Sequence, residues 1–518
     1  MSRGRHRLAL VLPVLLLGGC ATSYLSRAPA SPSRPVIPES SGEEASGAPA
    51  PLPVEPAPGE LVDEGARVET GRSYGLSELV ELAAASNPET RIVWQRARQA
   101  ALAVGVTHAR DFPTLSLATF AGYQHSEVPA SAIASGISLA TQTFLPGITL
   151  PGPPPGTSGH VGLDTFEVVP FLALRWEALD LSRGPAKREA EQTSIAANLL
   201  FVGEHQKLLF QVARSYFRLG AERAQVQVSQ ESLDRTRTMD QAAEARFGRG
   251  LATAVEVAEA RRGVAQAEYE LSEARAAEKT AESALLTAMG VDPRIELQID
   301  TVQSGTLVSS VRGPVDSYLQ SALGSRPDLR AARAHASRAE AGIDQATSRY
   351  IPKLTLVGTG GLQTLGAKAA GSSFSSVTIP HVTALASLEW LLFDGGAREG
   401  GAEIARSRRD EAELEIRKLR NVASQEVLSA YDDANAALSR YRAAQALEQT
   451  AAVADDATAR AYANGLSTLA DAASAQKAHA HASAVKEHAY AEARIAATAL
   501  TFVSGQLQGI GALPSLAP

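Results

Sequence analysis

The hydrophobic positions of this chain follow two periods, and the order in which these periods occur is repeated. Alternation of apolar and polar residues, which is typical of a half-buried strand, covers positions 114–123, and positions 166–179 are predicted as the returning strand. The same pair of strand patterns recurs over 354–363 and 382–393. The sequence therefore predicts two strand hairpins that are far apart along the chain.

Each predicted hairpin is followed by a very long stretch with helical character. Positions 182–246 contain proline only in the first turn, where it is tolerated, and positions 397–463 contain none. About 65 residues at a rise of 1.5 Å give a helix of about 100 Å. Return helices are predicted over 253–289 and 468–503. The glycines expected at the two intervening turns are Gly248, Gly250 and Gly465.

Shorter helices precede both hairpins. The first begins near position 76, with Ser77 as its expected N-cap, and is interrupted at Asn87-Pro88, while the second is predicted as one helix over 315–349. Trp176 and Trp390, at matching places in the two halves, lie 214 positions apart. A duplicated strand-plus-helix unit favours an assembled tube over an enzyme with a single pocket.

These landmarks divide the chain into six segments. They are a signal peptide over 1–19, a tether rich in Pro, Ser and Ala over 20–73, a first repeat over 74–296, a link over 297–314, a second repeat over 315–504, and a tail over 505–518.

Composition and charge exclude several classes of function. The 518 residues carry a formal net charge of -7, and the basic residues alternate with acidic ones, so a nucleic-acid partner is not expected. The chain lacks the P-loop and H-E-x-x-H motifs, and we expect no enzymatic activity and no cofactor. His479, His481 and His488 do not share one helix face at metal-binding spacing, so no metal site is predicted.

The single cysteine has a specific setting. Three arginines precede an apolar stretch over 8–17, which is too short to span a membrane and ends at Leu17-Gly18-Gly19-Cys20. This segment resembles the lipobox of bacterial lipoproteins, which implies a covalent lipid on Cys20 and anchoring to outer membrane lipids. Ala21 is not the Asp that marks inner-membrane retention. The alternative is an ordinary secretory signal with a chance cysteine.

The hairpins are expected to lie in a membrane. Four strands cannot close a barrel, and open edges are not tolerated in lipid, so other copies are needed, and three copies give twelve strands. The alternative is a soluble hairpin that caps a helical rod. Trp176, Trp390, Phe171 and Phe393 are expected either in an interfacial aromatic girdle or in core packing at the junctions between strand and helix.

In order and spacing, these motifs resemble the TolC family of outer-membrane channels, specifically its lipid-anchored efflux members. The resemblance covers about 74–503. The motifs that carry it are Asn87-Pro88, Pro352-Lys353-Leu354, Leu392-Phe393-Asp394-Gly395-Gly396 and the run from Tyr462 to Asp471. It implies a mainly α protein with membrane β-structure: a homotrimer with a twelve-stranded β-barrel joined to a periplasmic α-helical barrel.

The resemblance also implies a function. The chain is expected to be the passive outer-membrane channel of a tripartite efflux system in a Gram-negative bacterium, working with a periplasmic adaptor and an inner-membrane transporter. The alternatives are the exit channel of type I protein secretion and a non-conducting structural lipoprotein that spans the periplasm. The transported substrate and the cognate pump are not determined by the sequence.

By the same resemblance, Tyr462 matches a gate tyrosine and Asp471 matches a pore-facing acid. Glu256 occupies the corresponding place in the first repeat, although a solvated acid at a helix start is an equally good interpretation of it. Ser467 stands where some relatives have a gate arginine, so the gate contacts here are expected to differ. Arg246, Arg249 and Arg460 are the candidates to supply them.

Overall fold

A computed structural model of the chain describes residues 22–33, 71–129, 159–302, 304–369, 373–507 and 509. Its regular elements, in chain order, are a 3-10 helix (Thr22–Arg27), β1 (Ser73–Tyr74), α1 (Leu76–Ser86), α2 (Pro88–Ala109), β2 (Thr114–Pro129), β3 (His160–Leu179), α3 (Arg183–Gly248), α4 (Ala254–Met289), β4 (Gln298–Ile299), α5 (Val315–Ser325), α6 (Pro327–Ser348), β5 (Lys353–Ala369), β6 (Ser375–Glu389), α7 (Ala397–Ala463) and α8 (Leu469–Val503).

The long helices follow the sequence pattern closely. α3 contains 66 residues and α7 contains 67, and their return helices α4 and α8 begin directly after the predicted glycine turns. Alanine is the residue type that the long helices bury most often, as at Ala423, Ala434, Ala437 and Ala493. Small side chains let helix axes approach closely, which accounts for the alanine-rich composition of these segments.

Two details of the short helices differ from the sequence predictions. The segment 315–349 is not one helix, because the chain is extended at Arg326 (ψ 125°) between α5 and α6. Pro327 disfavours the helical conformation of the residue before it. Ser77 is not the N-cap of α1; the helix starts after Gly75, whose amide donates to the Glu78 carboxylate at 3.1 Å.

The chain divides into two compact units. The first, a helical unit, lies within Met1–Val104, Glu189–Ala339 and Ser407–Pro518, and the second, a strand unit, comprises Gly105–Arg188 and Glu340–Arg406. The largest apolar cluster of the helical unit includes Leu79, Leu209 and Leu286, which join α1, α3 and α4. These three side chains are almost completely buried.

The residues that follow the predicted lipobox do not form a free tether along their whole length. Within the described range 22–33, Arg27 pairs with Glu191 at 3.1 Å, and its carbonyl accepts from the Asn198 side chain at 2.7 Å. The Trp94 indole donates to the Pro29 carbonyl at 2.7 Å. The segment is therefore docked on the helical unit within about ten residues of Cys20, which itself lies outside the described residues.

The strand unit is a four-stranded antiparallel sheet with the order β2-β3-β5-β6. Its strands have 16, 20, 17 and 15 residues, and three of them are clearly longer than the alternating pattern predicts. The register of the first hairpin runs without a break from Thr114↔Arg175 to Pro129↔His160. Backbone pairing continues into the polar ends because the hydrogen-bond ladder does not depend on apolar side chains.

The register assigns the strand residues to two faces of different chemistry. One, called the apolar face, carries no charged residue from Leu115 to Tyr123 or on the strand segments paired beside them. Its larger members include Leu115, Leu117, Leu172, Leu174, Leu356, Leu362 and Val382. The opposite side, called the polar face, includes Gln124, Glu167, Arg175, Gln363 and His381.

The two repeated tryptophans make equivalent contacts in the strand unit. The Trp176 indole donates to the Asp111 carbonyl at 2.9 Å, and the Trp390 indole donates to the Tyr350 carbonyl at 3.1 Å. One bond ties the end of β3, and the other ties the residue directly after β6, to the segment that follows the preceding short helix. Phe171 lies on the polar face, opposite to Trp176, so these two residues do not belong to one aromatic girdle.

Candidate functional site

The turns that join the long helices to their return helices have the same geometry in both repeats. Gly250 and Gly465 adopt left-handed conformations, with φ of 74° and 75°. The Leu251 amide donates to the Arg246 carbonyl at 2.9 Å, and the Leu466 amide donates to the Ala461 carbonyl at 2.8 Å. This is the Schellman arrangement, in which glycine ends a helix without steric cost.

Gly248 differs from the other two predicted turn glycines. It is the last residue of α3 and does not have a positive φ. Its counterpart at the end of α7 is Ala463, which shows that a side chain is compatible with this position. Gly250 and Gly465 are therefore the glycines that the turns require.

Glu256 and Asp471 have the same local role. The Glu256 carboxylate accepts from the Thr253 amide at 2.8 Å, and the Thr253 hydroxyl accepts from the Glu256 amide at 3.2 Å. Asp471 makes the corresponding reciprocal bonds with Thr468, at 3.2 and 3.1 Å. Both acids thus close capping boxes at the first turns of α4 and α8. The T-x-x-E and T-x-x-D spacing would have predicted this role.

Asp471 also accepts from two hydroxyl groups, those of Thr468 at 2.6 Å and Ser467 at 3.4 Å. The Thr468 hydroxyl is the main cause that holds the pKa of Asp471 below its usual value, and the Thr468 amide and Ser467 add to it. Ser467 therefore helps to keep this carboxylate ionised.

Tyr462 lies in a small cluster to which all four long helices contribute. Its side chain is buried with Ala243 of α3, Ala260 of α4, and Leu469 and Ala472 of α8. The Arg246 guanidinium lies 5.0 Å from the centre of the Tyr462 ring and donates to the Tyr462 carbonyl at 3.4 Å. The structure thus brings one of the three candidate arginines to Tyr462.

The other two candidates are placed differently. Arg460 forms an ion pair with Asp456, one turn earlier on α7. Arg249 is an exposed residue of the first turn. That Tyr462, Asp471 and Glu256 face the pore axis of an assembled channel stays a prediction.

A second polar link between the repeats lies further along the helices. The buried carboxylate of Asp455 on α7 accepts from Arg235 of α3 at 2.8 Å and contacts the His479 ring of α8 at 2.9 Å. The buried Gln476 side chain of α8 donates to the Ser232 carbonyl at 2.9 Å and to the Thr236 hydroxyl at 3.2 Å. Sequence reasoning missed Asp455 and Gln476, because their burial depends on helix packing.

Metal sites and membrane-spanning helices were also sought in the part of the chain that the structure describes. Within those ranges, no group of three or more His, Cys, Asp or Glu residues is arranged to hold a metal ion. Among the described helices, none combines the length and the apolar character that a membrane span requires.

Comparison with solved structures identifies the fold. The outer-membrane channel OprN has 19% sequence identity and a TM-score of 0.64, with 84% of this chain and 90% of OprN covered. The CmeC outer membrane channel of Campylobacter jejuni has 16% identity and a TM-score of 0.64, covering 83% of this chain and 85% of CmeC. The outer membrane protein VceC of Vibrio cholerae has 21% identity and a TM-score of 0.61, covering 83% of this chain and 96% of VceC.

No curated protein matches the chain at the sequence level. The family profile of outer membrane efflux proteins, in contrast, matches residues 79–291 and 318–506, which are most of both repeats. The predicted resemblance to TolC-type channels is therefore confirmed. The chain belongs to the outer membrane efflux protein family.

Proposed function

We propose that three copies of this chain form one passive efflux channel through the outer membrane, with the apolar face toward lipid and the polar face lining the lumen. The observation that carries this proposal is the absence of charge on the apolar face between Leu115 and Tyr123, while Glu167 and Arg175 occupy the other face. Outer-membrane barrels have this distribution, with an apolar band outside and a polar interior.

The unpaired outer strands of the sheet support an assembly of three copies. In the described sheet, β2 and β6 are the outer strands of the order β2-β3-β5-β6. Strand edges exposed to lipid leave backbone groups without partners, which costs several kcal/mol per group. Pairing β6 of one copy with β2 of the next removes these edges, and three four-stranded sheets give twelve strands.

Channels of this family work as trimers in tripartite efflux systems. We expect the energy for transport to come from an inner-membrane transporter, and a periplasmic adaptor to connect that transporter to the tips of the helical hairpins. A lipid on Cys20 would hold the chain in the outer membrane beside the barrel. The docked segment 22–33 would then leave only a short connection between the lipid and the helical unit.

The gate is proposed at the helix turns. The Arg246–Tyr462 contact holds the first repeat against the second, and Glu256 and Asp471 place carboxylates next to both turns. Three copies of each acid around a narrow opening would favour cations. The sequence did not decide which of Arg246, Arg249 and Arg460 contributes to the gate, and the contact with Tyr462 supports Arg246.

Conductance tests this function directly. The purified protein, reconstituted in a planar bilayer, is expected to give discrete single-channel currents that favour cations over anions. A folded trimer that gives no current would support the structural lipoprotein instead. To distinguish efflux from type I secretion, a strain that lacks this protein is tested both for accumulation of small molecules and for secretion of proteins. Accumulation of small molecules with unchanged protein secretion supports efflux, and the reverse supports secretion.

A further inference from the structure

The polar face contains two aromatic side chains that its chemistry does not require. Phe120 of β2 and Phe171 of β3 project from this face, because the register pairs Ala118 with Phe171 and Phe120 with Val169. Their rings stack with centroids 5.7 Å apart and planes inclined by 23°. Phe120 is 67% exposed, so this ring is accessible to a solute rather than packed in a core.

A carboxylate lies diagonally across the strand pair from Phe120. Val169, opposite Phe120, is flanked on β3 by Phe171 and Glu167, both two residues away and on the same face. Side chains in such diagonal positions are about 7–8 Å apart, which is within reach of aromatic residues. The Gln363 amide donates to the Glu167 carboxylate at 2.6 Å and orients it, and a carboxylate can accept from further donors.

Two glycines shape the surroundings of this cluster. Gly122 pairs with Glu167, and no described atom lies within 4 Å of the position that a Cβ of Gly122 would occupy. This leaves a notch beside the carboxylate. Gly361 pairs with Phe171, and a Cβ there would lie only 2.6 Å from the Phe171 Cβ, so the ring depends on this glycine for its position.

We propose that Phe120, Phe171 and Glu167 form a binding site for planar aromatic cations on the lumen wall, one site per protomer. This inference rests on the proposed function, because the polar face becomes a lumen only in the closed barrel. An aromatic surface stacks with planar rings and attracts cations, and the adjacent carboxylate selects positive over negative charge. Pairing at the β2 edge takes place in the plane of the sheet and leaves this face accessible.

Equilibrium binding to the detergent-purified trimer tests the site without requiring an open gate. The probe is the fluorescent planar cation N-methylacridinium, followed by fluorescence anisotropy. Tetraethylammonium has the charge without the rings, and 2-naphthalenesulfonate has rings with the opposite charge. We expect N-methylacridinium to bind with three sites per trimer, and neither of the other ions to displace it at equal concentration.

Substitutions then assign the site. Phe120→Leu with Phe171→Leu keeps apolar side chains but removes the rings, and Glu167→Gln keeps the shape but removes the charge. Each change is expected to weaken binding about tenfold, in line with the contribution of one aromatic or cation contact. The matched control is Phe166→Leu, on the same strand but on the apolar face. Its affinity is expected to equal that of the wild type.

Several results would overturn the site. They are no binding to the wild type, equal displacement by tetraethylammonium, or equal affinity of the wild type and the Glu167→Gln variant. If the rings only stabilise the sheet, the variant with both phenylalanines replaced has a less stable trimer. In that case Glu167→Gln does not change the affinity for N-methylacridinium, and the three ions do not differ in binding. A trimer that conducts but does not bind N-methylacridinium contradicts this inference alone, whereas a trimer that does not conduct contradicts the proposed function.

Discussion

The Arg246 guanidinium lies over the Tyr462 ring, 5.0 Å from its centre, and donates to the Tyr462 backbone carbonyl. The two residues belong to different repeats and are 216 positions apart. The contact involves the face of the ring and the main chain, rather than the phenolic hydroxyl. Loss of the hydroxyl is therefore expected to matter less than loss of the ring or of the arginine.

Replacing Arg246 by Ala is expected to open the periplasmic end. A cation–π contact and a hydrogen bond contribute about 1 kcal/mol together at a half-buried position. If the three copies open together, about 3 kcal/mol is lost, which shifts the ratio of closed to open channels roughly a hundredfold. Single-channel recording measures this ratio as open probability.

Three further variants make that prediction specific. Tyr462→Ala is expected to resemble Arg246→Ala, whereas Tyr462→Phe, which keeps the ring and the carbonyl, is expected to remain closed. Arg249→Ala removes an exposed arginine from the same turn and serves as the control. Wild-type gating of Arg246→Ala would show that the contact does not hold the gate.

Replacing Thr468 by Ala is expected to loosen the first turn of α8. The hydroxyl caps the helix, and loss of such a cap costs about 1 kcal/mol, or a roughly fivefold increase in local opening. Hydrogen exchange of the amides of residues 470–472 measures this opening. Thr468→Ser keeps the hydroxyl and is expected to exchange at the wild-type rate. Equal exchange in the Ala variant would contradict the capping role.

The stability of the first turn of α8 is also expected to depend on pH. Because hydrogen bonds led by the Thr468 hydroxyl lower the pKa of Asp471, its stabilising effect is present above the usual pKa of an aspartate and is lost as the pH falls through the lowered value. Exchange at the start of α8 should therefore increase in acid, and in the Asp471→Asn variant the pH dependence should be reduced. An unchanged profile in that variant would assign the acid sensitivity to another group.

The lipid anchor gives an independent prediction. Cys20 ends the predicted lipobox and is the only cysteine of the chain. Cys20→Ser is expected to abolish metabolic labelling with a palmitate analogue, because no other thiol is present to carry the lipid. Mass spectrometry of the mature N-terminus is the companion measurement. Equal labelling of both proteins would rule out acylation at this position.

The assembly can be tested in detergent solution. Light scattering is expected to give the mass of three chains, because four strands leave two edges that only further copies can pair. Boiling in SDS should convert the trimer to monomer. A monodisperse monomer that retains its β-structure would contradict the barrel.

Much of the fold was already present in the periodicity of the sequence. Helix α7 begins and ends at the predicted residues, since a long run with helix-forming residues and without proline leaves few alternatives. The glycine turns and the order of strands and helices were predicted for the same local reason. The prediction of a single helix over 315–349 was wrong at Arg326, although Pro327 was visible in the sequence, because apolar spacing continues on both sides of it.

The sequence by itself therefore determined most of the elements, the duplication and the family resemblance, all of which depend on neighbouring residues or on their order. Tertiary structure decided which residues meet. It brought Arg246 to Tyr462, buried Asp455 between helices of both repeats, and placed Phe120 beside Phe171. Such contacts depend on helix packing and strand register, and these are set by the sum of many weak interactions across the whole unit rather than by any local pattern.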